Sequence, residues 1–390
     1  MRDAYIVESV RTPGCKNKKG QFKDTRPEDL LSHIMKSCVE KAGIDAAEID
    51  DVMCGCSFPE GEQGLNIGRI AGKMAGFPDS VSGATVNRFC SSGIEAIALA
   101  SLRVQAGWSE VTMGAGIESM SFVPMGGHTP RPHAEYANEN PAAYISMGVT
   151  AENVAERYNV SREDCDAFAA NSHAKAVKAQ KEGLFTEVVP TPAVKFEMQE
   201  NGTYKKTTFL VDADDGVREG TTAEGIARLR SPFKAGGVAT AANSSQTTDG
   251  AAATLIASKE ACDRLGLKPI AKMVGYAVAG CKSDEMGVGP VYAIPKVLEQ
   301  TGLKLEDIDV FELNEAFATQ ALYSIRELGI DINKVNLTGG AIALGHPLGC
   351  TGAKLTATLL ANLKRTGGKY GIVSMCIGGG MGAAGIYEMV

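Results

Sequence analysis

Glu40-Lys41-Ala42-Gly43-Ile44, followed by Ile49-Asp50, finds a counterpart in Glu299-Gln300-Thr301-Gly302-Leu303, followed by Ile308-Asp309, 259 positions later (40 to 299). The same offset lays Ser92-Gly93 on Thr351-Gly352, with the helix that each pair opens, and Val111 to Gly116 on Tyr370 to Met375. Identities are few. One ungapped register held over about 75 positions nevertheless favours an internal duplication over coincidence.

Working outward, Ala4 to Val7, Asp51 to Cys56, Val111 to Ala115, Val310 to Leu313 and Gly371 to Met375 predict short buried strands. Between them Leu30 to Ala42, Ser92 to Ala106, Ile294 to Thr301, Glu315 to Leu328 and Thr351 to Arg365 carry apolar residues at helical spacing. This alternation predicts an α/β protein. A more polar segment, about 121–237, holds Pro124, Pro130, Pro132, Pro141, Pro190 and Pro192, the charge-rich Lys205 to Arg230, and an amphipathic helix at Arg162 to Lys181. It reads as a loop domain inserted into the first half, where ligand contacts commonly gather. The expected halves are residues 1–271, insertion included, and 272–390.

With 390 residues the chain has room for two to three domains or one large duplicated unit. Hydrophobic residues at 44% and charged residues at 22% argue against disorder. A net charge of −7 disfavours a nucleic-acid binder, which needs a basic face. No apolar run of membrane-spanning length is present, and the start leads into a strand without a signal-peptide core. Ten scattered cysteines are too sparse for a disulfide scaffold, so reduced thiols in a cytoplasm are expected. Glycine, at 45 residues, is about 12% against a usual value of about 7%. That excess points to close backbone approach, either within the core or to a ligand.

Asn87-Arg88-Phe89-Cys90-Ser91-Ser92-Gly93 precedes a helix, so Cys90 is expected near its N-terminus, where the dipole and bare amides favour a thiolate and an oxyanion. A cysteine there is also commonly a small core residue, and a nucleophile needs a base. Of five histidines, His33 and His173 fall on helices and His128 and His133 in the proline-rich loop. His346 sits in Gly345-His346-Pro347, at the start of the equivalent helix, and the 259 offset pairs it with Asn87. If the halves pack about a pseudo-twofold axis, Cys90 and His346 converge. Cys376-Ile377-Gly378-Gly379-Gly380 follows a strand and reads as a tight turn with bare amides beside a thiol, or as a plain glycine-rich strand end. Asn314, before Glu315-Ala316-Phe317, reads as a helix N-cap with or without a catalytic role. Cys54 and Cys56 read as buried strand residues rather than metal ligands, and no metal site is expected.

Together these motifs resemble the thiolases, the acyl-CoA acetyltransferases that cleave or form 3-ketoacyl-CoA. The likeness runs from about Ala4 to Glu388. It adds Val7-Glu8-Ser9-Val10-Arg11-Thr12-Pro13, Met147-Gly148-Val149-Thr150-Ala151-Glu152-Asn153, Thr240-Ala241-Ala242-Asn243-Ser244-Ser245 and Met286-Gly287-Val288-Gly289-Pro290. The resemblance implies two βαβαβαββ halves in a five-layer α-β-α-β-α arrangement, with a loop domain that covers coenzyme A. It implies Cys90 as the acylated nucleophile, His346 as its base, and Cys376 as the acid or base at the acetyl carbon. It assigns Asn314, through a water, and His346 to one oxyanion hole, and the amides of Cys90 and Gly378 to the other. It places Arg218 near nucleotide phosphates, Ser245 near pantetheine, and Met147, Met286 and Phe317 along the acyl channel; Arg228, Arg230 and Lys234 read as a solvated face.

No permanent cofactor is implied; coenzyme A is a co-substrate. A homodimer or homotetramer and a complex with a β-oxidation hydratase/dehydrogenase are the implied assemblies. Thr338 stands where many thiolases have Asn, and Phe89 where degradative members often have Gln. Arg88, Ser91-Ser92 and Ser146 favour a degradative enzyme that thiolyses 3-ketoacyl-CoA over a biosynthetic one that condenses two acetyl-CoA. The decarboxylating ketoacyl synthases share the fold but typically use Cys with two His or with His and Asn, and a non-catalytic acyl-CoA binder would not need Cys90, His346 and Cys376.

Overall fold

The apolar runs pair into a ten-stranded mixed sheet in the computed structural model, which describes residues 2–390. The strands are β1 (Ala4–Arg11), β2 (Asp51–Gly55), β3 (Ser82–Val86), β4 (Val111–Ser119), β5 (Thr191–Met198), β6 (Tyr204–Val211), β7 (Thr248–Ser258), β8 (Ala271–Gly280), β9 (Val310–Leu313), β10 (Tyr370–Ile377) and β11 (Met381–Met389). Their order is β9-β10-β11-β8-β1-β7-β4-β2-β3, with Cys15–Lys16 beside β7 and β5-β6 forming a separate hairpin. β1 and β8 touch through one pair, Ile6 and Ala271, so the sheet is two blades joined at a narrow seam. The main helices are α1 (Pro27–Ala42), α2 (Ile67–Met74), α3 (Ser92–Gln105), α4 (Met147–Arg157), α5 (Arg162–Lys181), α6 (Gly289–Thr301), α7 (Ala318–Leu328) and α8 (Thr351–Thr366).

Three cores define five layers. Leu30, Leu31 and Ile34 of α1 and Ile67 of α2 pack on Val52, Met113 and Leu255 of the first blade. Ile94 and Ile97 of α3 and Leu355 and Leu359 of α8 fill the space between the blades, against Met53, Ile256, Val373 and Met375. Ile294 and Val297 of α6 and Leu322 and Ile325 of α7 cover the outside of the second blade at Phe311, Ile372 and Ile386.

The 259 offset recurs in detail. Asp50 Oδ2 accepts from the amides of Glu110 (2.7 Å) and Val111 (3.3 Å), and Asp309 Oδ2 from those of Lys369 (2.7 Å) and Tyr370 (3.0 Å). Gly43 and Gly302 end α1 and α6 with φ of +74° and +71°, left-handed values that favour glycine. The 3₁₀ turns Phe89–Ser91 and Leu348–Cys350 feed α3 and α8 in the same way.

Two expectations change. The helix expected from Glu315 begins at Ala318, with Phe317 in extended conformation before it. Asn314 is therefore not a helix cap: its N–H donates to Ser374 O at 2.9 Å and continues the ladder past β9. Glu315 holds this segment extended by accepting from Asn336 Nδ2 (2.8 Å), Ser172 Oγ (2.7 Å) and the Ile342 amide (3.2 Å) in the interior. The strands β7 and β11 have no sequence signal of the usual kind. Every residue of β7 is buried, so its run of small residues shows no alternation.

Adjacent antiparallel strands β4 and β7 are joined by a long excursion that carries α4, α5 and the β5-β6 hairpin. The exposed face of that hairpin and the packing of Cys165, Phe168 and Ala169 of α5 onto the second blade's outer core show it to be anchored on one side.

Candidate active site

The chain reaches Cys90 through a forced turn. Phe89 has φ of +44°, unusual for a bulky residue, and its amide is held by Asn87 Oδ1 at 2.8 Å. Ser92 Oγ accepts from the Arg88 amide (2.8 Å) and donates to Phe89 O (2.7 Å), while Arg88 forks onto Glu95 at 2.7 and 3.0 Å. These ties fix the turn to the first turn of α3. Cys90 then lies buried with Met120 and Leu348, the latter from the matching turn before α8.

Burial pushes the Cys90 thiol up to about 11, although the backbone amides of Gly378 and of Cys90 itself act to lower it. The expected thiolate at a helix start is thus not the resting state. Desolvation outweighs two amides, because a buried thiolate loses the hydration that a few fixed dipoles replace only in part. A base is required.

His346 supplies it. Its Nδ1 lies 2.5 Å from Thr351 Oγ1, and that hydroxyl donates its single proton to Pro347 O at 3.1 Å. Nδ1 therefore carries the proton and Nε2 has the free lone pair. Burial, with the Lys354 ammonium nearby, holds the imidazole down at about 3, so it is neutral at physiological pH. Lys354 is itself buried and donates to Leu344 O (2.6 Å) and Gly345 O (2.9 Å), which fastens the turn that ends in His346. Asn314 Nδ2 reaches Nε2 at 3.4 Å, and Asn314 Oδ1 is buried with no partner among the described residues.

Cys376, the next-to-last residue of β10, is fully buried, and its thiol is held well above the usual range by burial, by Cys90 and by Cys281. Gly378-Gly379-Gly380 makes the turn into β11; Gly379 and Gly380 take φ of +84° and +89°. A Cβ at Gly378 would meet Met147 sulfur at 3.4 Å, so this turn packs against the first residue of α4. Met147, Met286, Phe317 and Cys376 share one apolar cluster.

Ser245 is half-buried and its amide donates to Ala316 O at 2.9 Å, beside the cluster. Arg218 stands apart from it, exposed in a surface depression with Lys178 and Lys181, and its amide donates to His173 Nδ1 at 3.2 Å. Lys234 pairs with Glu156 at 2.8 Å on the surface. Cys54 and Cys56 are buried in and beside β2.

Three participants have no signal that was read from the sequence. Thr351 sets the imidazole tautomer. Glu118 accepts from the amides of Ser57 and Gly349, both at 2.8 Å, and ties the α8 turn to β4. Gln320 bonds Cys376. The position of Thr351, five residues after His346 at a helix start, is the one clue a sequence reader could have used.

The site thus comprises a buried thiol, Cys90, that bears on a second one, Cys376, and a buried neutral imidazole whose Nε2 faces the Asn314 amide nitrogen. Family models for the thiolase N-terminal domain and C-terminal domain match residues 4–260 and 267–389. The chain is 50% identical over 390 residues to a 3-ketoacyl-CoA thiolase of Bacillus subtilis (strain 168), covering 100% of both chains. It superposes on the dimeric peroxisomal thiolase of Saccharomyces cerevisiae with a TM-score of 0.88 at 41% identity, covering 100% of this chain and 98% of that one. On the Bacillus anthracis acetyl-CoA acetyltransferase the TM-score is 0.90 at 38% identity, covering 100% and 99%. The chain belongs to the thiolase family, and its five layers are the thiolase fold.

Proposed function

We propose that this enzyme thiolyses 3-ketoacyl-CoA to acetyl-CoA and a shortened acyl-CoA, as in fatty-acid β-oxidation, through an acyl group on Cys90. The observations that carry this reading are the buried Cys90 thiol bearing on the Cys376 thiol, and a buried His346 whose Nδ1 is held by Thr351 and whose Nε2 faces Asn314. His346 Nε2 takes the Cys90 proton as sulfur attacks the keto carbon, and the Cys90 and Gly378 amides receive the alkoxide charge. The carbon–carbon bond breaks; Cys376 gives its proton to the acetyl carbanion and acetyl-CoA leaves. The incoming CoA thiol gives its proton to the Cys376 thiolate and attacks the acyl group, while Cys90 recovers its proton from His346. No proton is left over and no metal or redox group is needed.

Asn314 Oδ1, buried and unpaired, is suited to accept from a water that also donates to the enolate oxygen, beside the His346 imidazolium. Arg218, in a depression where Lys178 and Lys181 pair with Glu182 and Glu219, would meet the nucleotide phosphates, Ser245 lies where pantetheine would pass, and Met147, Met286 and Phe317 would line the acyl channel. We also place the boundary of the two halves at 271/272, the loop domain at about 121–237, and the enzyme in a reducing cytoplasm, in keeping with ten free cysteines. Among the described residues no helix is long and apolar enough to cross a membrane. Strand β3 is one of the two end strands of the sheet and is flanked by the exposed Leu65 and Met74, which supports a homodimer built on that edge; a further complex with a hydratase/dehydrogenase is part of the same proposal.

The test combines labelling and kinetics. Iodoacetamide should modify Cys90 first and acetyl-CoA should protect it, and kcat/KM should be at least about tenfold higher for a long-chain 3-ketoacyl-CoA than for acetoacetyl-CoA. Uniform labelling of the thiols would refute the nucleophile; a preference for the four-carbon substrate would shift the role to condensation of two acetyl-CoA.

A further inference from the structure

The thiol of Cys376 donates to one group, Gln320 Oε1, at 3.6 Å. The amide is turned this way for a reason. The Ala316 N–H donates to the same oxygen at 3.0 Å, and an N–H has nothing to give to an NH₂ group. Gln320 is fully buried on the first turn of α7, and its Nε2 has no acceptor among the described residues. The side chain therefore keeps its oxygen on the sulfur although its nitrogen goes unsatisfied.

A carbonyl oxygen accepts from S–H and repels S⁻. We propose that Gln320 is a positioning residue that keeps Cys376 in its S–H form between turnovers and fixes the direction of that bond. The resting enzyme then holds a proton to give to a carbanion rather than a base to remove one. After Cys376 has given its proton, the thiolate faces the same oxygen, which favours its prompt reprotonation by the incoming CoA thiol. The S–H bond of Cys376 breaks as the acetyl C–H bond forms, and the S–H bond of CoA breaks as that of Cys376 is restored. The other ionisable groups bearing on Cys376 are the thiols of Cys90, from the turn before α3, and Cys281, after β8. The neighbours Met147, Met286 and Phe317 carry no charge.

This inference rests on Cys376 being the proton-transferring thiol, and the experiment separates the two. Deuterium entry from D₂O into the methyl group of acetyl-CoA is measured against pH, alongside Cys90 acylation by intact mass, for wild type, Gln320→Met, Gln320→Glu and Cys376→Ser. Loss of a neutral hydrogen bond corresponds to about a tenfold change, so Gln320→Met should lower the exchange midpoint by about one pH unit, while the final extent of Cys90 acylation stays complete. Gln320→Glu, with an ionised oxygen in the same place, should raise it. A Gln320→Met midpoint within about 0.3 unit of wild type, or acylation that falls with exchange, overturns the proposal. If Gln320→Met does not fold, Gln320→Glu decides: an unmoved or lowered midpoint overturns it. Exchange retained in Cys376→Ser overturns the role of Cys376 itself, whereas exchange lost in Cys376→Ser with an unmoved Gln320→Met midpoint overturns only the role of Gln320.

Discussion

An alanine at Gly352 would place its methyl 2.2 Å from the nitrogen of Ile94 and 3.0 Å from its Cα. Gly93, its counterpart at the 259 offset, is as crowded: a Cβ there would lie 2.6 Å from Ala353 N and 3.0 Å from Gly349 O. The atoms in the way are mostly backbone and cannot swing aside, and ordinary contact begins at 3.4 Å. The starts of α3 and α8 must then part by about 1 Å. Overpacking of this kind costs about 1–3 kcal/mol of stability. The larger effect falls on catalysis, because Cys90 and His346 sit on the turns that feed these helices, and a misplacement of about 1 Å costs about 10²-fold in rate. Initial thiolysis rates at saturating substrate, with thermal melts and the rate of Cys90 alkylation, measure both effects. Gly352→Ala should fold, melt a few degrees lower and lose about 10²-fold in kcat. Gly280→Ala, where a Cβ meets nothing within 4 Å, is the control and should match wild type. Wild-type kcat in Gly352→Ala would refute the view that contact between the paired helix starts sets the geometry of Cys90 and His346.

Two more perturbations test the interior. Thr351→Val removes the acceptor at His346 Nδ1, so the tautomer is no longer fixed; kcat should fall about tenfold to a hundredfold with the fold intact, and a rate within about twofold of wild type would show that the hydroxyl has no such role. Glu312 is buried, accepts from Asn362 at 3.0 Å, and is pushed up to about 8 by burial and by Glu187 and Glu315. The folded protein therefore binds this proton more tightly than the unfolded chain, where the value is about 4.3. The stability it contributes is complete below about pH 4.3 and is lost as pH rises through about 8. Glu312→Gln, which resembles the protonated form, should melt higher than wild type by a margin that grows from about pH 5 to about pH 9; a margin independent of pH would contradict the assignment.

Much of the site was legible because its parts sit at helix starts and strand ends that carry local patterns. The offset that joins Ser92-Gly93 to Thr351-Gly352 pairs the two turns, and the glycine excess points to backbone meeting backbone. Asn314 was misread as a helix cap, since a polar residue between a strand and a helical pattern looks the same whether it caps the helix or extends the strand. The difference lies in Glu315, drawn inward by Asn336 and Ser172 from distant segments.

The amino-acid sequence by itself determined the duplication and the α/β alternation and named the candidate reacting side chains, because periodicity, repeat register and motif order are properties of neighbours along the chain. The protonation of those side chains was decided only by the tertiary structure. Burial holds Cys90 as a thiol where a helix start alone suggests a thiolate, Thr351 fixes the proton on Nδ1 of His346, and Gln320 Oε1 accepts from the Cys376 thiol. The physical reason is that ionisation depends on desolvation and on hydrogen-bond partners supplied by segments remote in sequence, which no local pattern records.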